Sequence, residues 1–146
     1  MERGKERLLI LNPGGISTKM AIYEGDKEIA NENVEHPIEE MKRFKTIWEQ
    51  WDTRMRDTFA WVEKHGYRME DFDALIGRCG TGKPCEGGVY EIGEEMVDDF
   101  RNERYGSHPS FVGCCMVYEL SKQYGIPALT ADPANSNEMM RIAHFS

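Results

Sequence analysis

Between Leu8 and Ala21 the chain reads LLILNPGGISTKMA, and the middle of that stretch can do chemistry. Asn12, Pro13, Gly14 and Gly15 break an apolar run, and Ser17, Thr18 and Lys19 follow before the run resumes. A glycine turn exposes backbone N–H groups, and hydroxyls and a lysine beside them suit a phosphate. The same residues also read as the polar tip of a β-hairpin, and composition alone favours that reading. Arg78 follows the apolar FDALI, and Asp132 follows PALTA. A charge at the carboxyl end of a buried strand projects into the crevice where open sheets bind ligands. The other reading of Arg78, a surface arginine paired with one of many acids, weighs about the same. His108 sits in the loop YGSHP between two helical patterns. A turn that holds a phosphate, an arginine that neutralises it and an aspartate that orients Mg²⁺ are the parts of phosphoryl transfer.

One motif is set aside. Gly77 to Lys83 satisfies G-x-x-x-x-G-K directly after a strand. Position 84 is Pro, where a P-loop needs a Ser or Thr hydroxyl for Mg²⁺, and no helix start is expected there to point its N-terminus at a phosphate.

The elements that must position these residues follow from periodicity. Leu8 to Leu11 and Met20 to Tyr23 read as buried strands, and the polar Glu28 to Glu35 as a third strand, at an edge or half exposed. Pro37 opens a helix whose apolar residues Ile38, Met41, Phe44, Trp48 and Trp51 recur at helical intervals. A second helix covers Asp52 to Lys64, with Met55, Thr58, Phe59 and Val62 inward and Gly66 as C-cap. Phe72 to Ile76, Gly88 to Ile92 and Pro127 to Ala131 are short strands. Gly93 to Arg104 is an acidic helix, and another runs from the Ser107–Pro109 region to Tyr124, ended by Gly125. Asn137 to His144 begins one more. The expected order βββαβαβα describes an α/β domain, a mixed β-sheet flanked by helices.

Composition narrows the function class. At 146 residues the chain is one domain with room for a real core. With 40% hydrophobic and 30% charged residues it has a globular balance, and a net charge of −8 argues against a nucleic-acid surface. No apolar run approaches the ~20 residues that span a bilayer, and the N-terminus lacks a secretory pattern. The expectation is therefore a cytoplasmic protein with no membrane partner. Cys79, Cys85, Cys114 and Cys115 form no C-x-x-C pair, and free thiols are expected.

Four ordered segments resemble the N-terminal part of the butyrate kinases, within the acetate and sugar kinase/Hsp70/actin superfamily. LLILNPGGISTKMAIYEGDKEI resembles that family's opening strand and NPGSTSTK phosphate loop. GRCGTGKPCEGGVYEI, YGSHPSFVG and GIPALTADPANSNEM resemble three further family segments in the same order and at similar spacing. The resemblance implies a ribonuclease H-like, actin-like ATPase domain over residues 1–146, with the family's second, adenosine-binding domain absent. It implies ATP and Mg²⁺ as cofactors and a short-chain fatty acid such as butyrate as acceptor, giving an acyl phosphate and ADP. By resemblance, Asn12 lies near metal and phosphates, and Gly14, Ser17, Thr18 and Lys19 line the phosphate loop. Arg78 matches the arginine that steadies the carboxylate and the transferring phosphoryl. Asp132 matches an aspartate that positions metal or nucleophile, and His108 a histidine near the site. A missing C-terminal domain or partner subunit and homo-oligomerisation are also implied, because half of a two-domain kinase leaves an interdomain face exposed. The sequence departs from the pattern at Gly15-Ile16, where the family has serine and threonine, at Cys79 for glycine, at Phe111 for asparagine and over Asn135–Asn137. A non-catalytic remnant or binding module that keeps the fold is the alternative function. An α/β domain whose resemblance is fold-level only is a third reading.

Overall fold

The computed structural model describes residues 4–80, 82 and 85–132. Three strands open the chain: β1 (Arg7–Pro13), β2 (Ser17–Glu24) and β3 (Lys27–Glu35). They pair antiparallel as a meander, with Leu9 opposite Ile22 and Pro13 opposite Thr18. Burial alternates along β1, with Leu9, Leu11 and Pro13 buried between half-buried neighbours, so one face of the strand meets the core. The polar β3 lies at the sheet edge as expected.

Three further strands complete the sheet: β4 (Ala74–Gly77), β5 (Val89–Glu91) and β6 (Ala128–Ala131). The spatial order is β3-β2-β1-β4-β6-β5. β1, β4 and β6 are parallel neighbours, and β5 closes the edge antiparallel to β6. This is the mixed sheet expected from the sequence. Parallel strands need long crossovers, and here helices supply them. α1 (Ile38–Met41) and α2 (Trp51–Lys64) lead from β3 to β4, while α3 (Glu94–Arg101) and α4 (Pro109–Tyr124) lead from β5 to β6.

α4 is the central helix, and nine of its residues from Ser110 to Leu120 are buried. Two glycines let it approach the sheet. A Cβ on Gly113 would lie 2.4 Å from Pro13 Cδ, and one on Gly77 would lie 2.7 Å from Val117 Cγ2. Leu9, Leu11, Met20, Ile22 and Leu75 meet Val112, Met116, Val117 and Leu120 in the core, all fully buried or nearly so. α4 ends at Gly125, whose φ of +68° is the left-handed conformation that a glycine C-cap supplies.

One expectation is corrected. The helix from Pro37 does not run through to Trp51. α1 stops at Met41, and Trp48–Gln50 form a separate 3₁₀ turn that joins α2. Thr46 and Glu49 explain the break. The Glu49 N–H donates to Thr46 Oγ1 at 3.4 Å, and the Glu49 carboxylate accepts from the Lys45 N–H at 2.9 Å. Side-chain acceptors thus take over backbone donors and start a new turn. At the other end His65 caps α2, and Gly66 follows at a φ of +82°. The helix expected over Asn137–His144 lies outside the described residues.

Candidate functional site

Parallel pairing puts the polar residues on one edge. Leu11 is in register with Gly77, so Asn12 and Arg78 come next on adjacent strands, and the Arg78 N–H donates to Leu11 O at 3.1 Å. β6 pairs with β4 on its other side, so Asp132, just past the end of β6, joins the same edge. α4 runs back along the sheet into β6, which brings its N-terminal end to this edge as well. There His108 caps the helix, with Nδ1 accepting from the Ser110 N–H at 3.2 Å and lying 2.8 Å from Ser110 Oγ. Arg78, Cys79, Gly80, Ser107, His108 and Phe111 line a common cleft of about 300 Å³. Arg78 is exposed, and among the described residues its guanidinium has no ion-pair partner.

Asp132 is tied down on one side. Its backbone N–H donates to Gly88 O at 2.8 Å, and its Oδ1 accepts from the Gly88 N–H at 2.7 Å. Its φ is +42°, a left-handed conformation that aspartate tolerates better than most residues. The carboxylate is exposed. No group of three or more His, Cys, Asp or Glu that could hold a metal occurs among the described residues.

The β1–β2 turn is a tight one, with the Gly14 N–H donating to Ser17 O at 2.7 Å. Gly15, Ile16 and Lys19 are exposed, and Asn12, Gly14 and Ser17 are half-buried. Thr18 is different. It is fully buried, and its Oγ1 lies 2.9 Å from Arg54 Nη1 and 2.8 Å from His36 Nε2. Its hydroxyl supports the turn from below instead of facing a ligand. Strand alternation explains this, since Thr18 and Lys19 point to opposite faces of β2.

Arg54, on α2, is the residue that organises this support. It is 0% exposed. Nη1 donates to Ser17 O at 2.9 Å, and Nη2 to Gly14 O and to Gly15 O at 3.2 Å. Nε and Nη2 both donate to Gln50 Oε1, one turn earlier on the chain, at 3.0 and 2.8 Å. The whole guanidinium fork is spent on carbonyl, hydroxyl and amide oxygens. Burial pushes its pKa down to about 10, still protonated at neutral pH. A cation fixed on the inner carbonyls holds them inward, and the turn's outer side is left for a ligand.

The support continues to a buried histidine. His36 Nδ1 lies 2.6 Å from Asp57 Oδ2, and its Nε2 meets Thr18. Thr18 already accepts from Arg54, so its O–H donates to Nε2, and Nδ1 carries the imidazole proton toward Asp57. Burial, joined by the charge of Arg54, lowers the His36 pKa despite the opposing pull of Asp57. Burial raises the Asp57 pKa, but hydrogen bonds from His36 and Arg56 outweigh it, and the net shift is downward.

Sequence reasoning missed Arg54, His36, Asp57 and Gln50. A signal existed for Arg54: it lies on the stripe of Thr58 and Val62, where helical spacing calls for a core residue. A charge at such a position needs buried partners.

No family model matches the chain. Butyrate kinases do match it. It is 40% identical over 140 residues to probable butyrate kinase 1 of Thermotoga maritima, covering 96% of this chain and 39% of that protein. It is 37% identical over 139 residues to a probable butyrate kinase of Listeria monocytogenes, covering 95% of this chain and again 39% of the relative. Among solved structures, the acetate kinase of Porphyromonas gingivalis superposes with a TM-score of 0.54 at 15% identity, over 86% of this chain and 37% of that one. The acetate kinase of Entamoeba histolytica gives 0.52 at 15% identity, over 86% and 34%. These two likenesses concern the fold, and they agree with the mixed sheet flanked by helices expected from the sequence. The chain spans about two-fifths of the length of the curated relatives it matches. Along nearly its whole length, the chain is therefore similar to one portion of the butyrate kinases.

Proposed function

We propose that this chain carries the phosphate-binding and carboxylate-binding part of a butyrate kinase-type reaction. In that reaction ATP and a short-chain fatty acid become ADP and an acyl phosphate. The observation that carries the reading is 40% identity to a butyrate kinase along 96% of the chain. The strand-edge cluster of Asn12, Arg78, His108 and Asp132 supports it. One carboxylate oxygen attacks the γ-phosphorus in line, and the bond to the β,γ-bridging oxygen breaks as ADP leaves. The attacking carboxylate is already ionised at neutral pH, so the site needs no strong base. It needs alignment and neutralisation of charge on the transferring group.

In this reading the exposed guanidinium of Arg78 neutralises the carboxylate and the equatorial phosphoryl oxygens. His108, with Nδ1 held by the Ser110 amide, presents Nε2–H to the same cleft. The α4 N-terminus adds its partial positive charge. Gly14, Ser17 and Lys19 face the nucleotide phosphates, and the buried Thr18 holds the turn. Asn12 and Asp132 offer hard oxygen donors that fit Mg²⁺. With no group of three or more His, Cys, Asp or Glu among the described residues, the ion would draw most of its ligands from phosphates and water. A Mg²⁺ ion held by Asn12 and Asp132 would neutralise phosphate charge. The rest of the site, with the adenosine pocket, belongs to the portion of the relatives outside this match, as a further domain or partner subunit. Assembly as a homo-oligomer is part of the same proposal.

A second reading, a binding module without turnover, draws on Ile16, which is 53% exposed in the phosphate turn where the resembled pattern carries a hydroxyl. Trapping acyl phosphate with hydroxylamine separates the two. With ATP, Mg²⁺ and butyrate, product is expected when the chain is mixed with the remaining portion of a butyrate kinase. An associated mixture that makes no product favours the binding module.

A further inference from the structure

Cys79 follows Arg78 at the end of β4, and Cys114 lies on α4. Their sulfur atoms are 2.8 Å apart, with Met96 Sδ at 3.8 Å from Cys79 and 3.9 Å from Cys114. Both cysteines are thiols and both are buried, at 2% and 0% exposure. Burial does not isolate Cys79. It lines the Arg78–His108 cleft, and it also lines a second cavity of about 290 Å³ bounded by Tyr90, Met96 and Phe100. A small oxidant entering either space reaches Cys79. None of the proposed chemistry uses this pair.

We propose that Cys79 and Cys114 are a reversible redox-modification site, which a hydroperoxide converts to a disulfide joining the end of β4 to α4. The Cys79 thiolate attacks one peroxide oxygen, the O–O bond breaks, and the departing oxygen takes a proton to leave as water. Cys79 is then a sulfenic acid. The Cys114 sulfur displaces its hydroxyl, the S–S bond forms, and the Cys114 proton leaves with a second water. Two thiols lose two electrons, and hydrogen peroxide is reduced to two waters. The order of attack follows the thiol environments. The hydrogen bond from Cys114 lowers the Cys79 pKa, whereas burial raises that of Cys114 well above the ordinary range. Cys115 is next in sequence but turned about 100° around the helix, and burial pushes its pKa up to about 12.

The test uses the native chain, hydrogen peroxide and mass spectrometry, with alkylation of the remaining thiols. The expected result is an intact mass lower by two hydrogens and loss of two alkylatable thiols. Proteolysis then yields a Cys79–Cys114 cross-linked peptide, and dithiothreitol reverses all three changes. Cys79→Ser is expected to abolish the loss. Peptide mapping of the unsubstituted chain decides the matter even if that variant does not fold. No mass change, oxygen addition at single cysteines, or a cross-link through Cys85 or Cys115 would overturn the proposal. None of these readouts requires kinase activity, so the test stands apart from the proposed function.

Discussion

Arg54 decides which way the β1–β2 turn faces. Its guanidinium binds the carbonyls of Gly14, Gly15 and Ser17 and the hydroxyl of Thr18. Arg54→Met keeps the volume and removes every one of these donors. An acceptor left buried and unpaired costs about 1–3 kcal/mol; Thr18 is fully buried and the turn carbonyls partly so, so urea unfolding is expected to show a loss on the order of 3 kcal/mol. Arg54→Lys recovers only part of it, because an ammonium lacks the planar fork. Unchanged stability in Arg54→Met would mean that the turn holds itself. The tip of the turn is open instead. A Cβ on Gly15 meets nothing within 4 Å, and Ile16 is exposed, so hydroxyls fit there. Gly15→Ser with Ile16→Thr is expected to tighten inorganic phosphate binding by roughly thirtyfold, at ~1 kcal/mol for each of the added hydrogen bonds. Calorimetric titration reads it, and an unchanged affinity would remove the turn from the phosphate site. The turn was legible in the sequence from Asn12 to Lys19, but its support was not. Nothing local marks Arg54, thirty-six residues from Thr18, as the partner of that turn.

Among the elements, α2 and the meander are linked through one titratable group. Asp57 and Arg54 on α2 and Thr18 on β2 surround His36, with Arg56 adding a smaller unfavourable charge. The folded chain binds a proton at His36 less readily than the unfolded chain does, whose imidazole titrates near about 6.5. Stability from this group is therefore complete above that pH and lost as pH falls through the depressed folded value. Stability is expected to fall between pH 7 and pH 5, with His36→Gln flattening that slope while the carboxylates stay ionised. An equal slope in both proteins would place the pH dependence elsewhere. Strands and long helices were legible because apolar spacing reports them directly. The break after Met41 was not read, since apolar residues from Ile38 to Trp51 keep helical spacing across it. The Thr46-x-x-Glu49 pattern that starts the new turn was visible, and it outranks periodicity when side chains capture backbone donors.

For the whole molecule, the topology does what no single motif does. Parallel β1, β4 and β6 bring Asn12, Arg78 and Asp132 to one edge from positions far apart in the sequence, and α4 returns His108 to that edge. Strand-end charges were readable one by one. Their convergence depends on strand order, which local sequence does not encode. Among the described residues no helix is long and apolar enough to cross a membrane. The proposed carboxylate phosphorylation rests on this edge, and on Arg78 above all. The most direct measurement places this chain in the Thermotoga maritima relative, in place of the two-fifths that it matches. Acyl phosphate formation from ATP and butyrate is then assayed with Arg78 intact and with Arg78→Ala. The account predicts an active chimera and a loss of roughly 10² or more in turnover for the variant, the scale of removing a main charge stabiliser. An active chimera that keeps its turnover without Arg78 would contradict it.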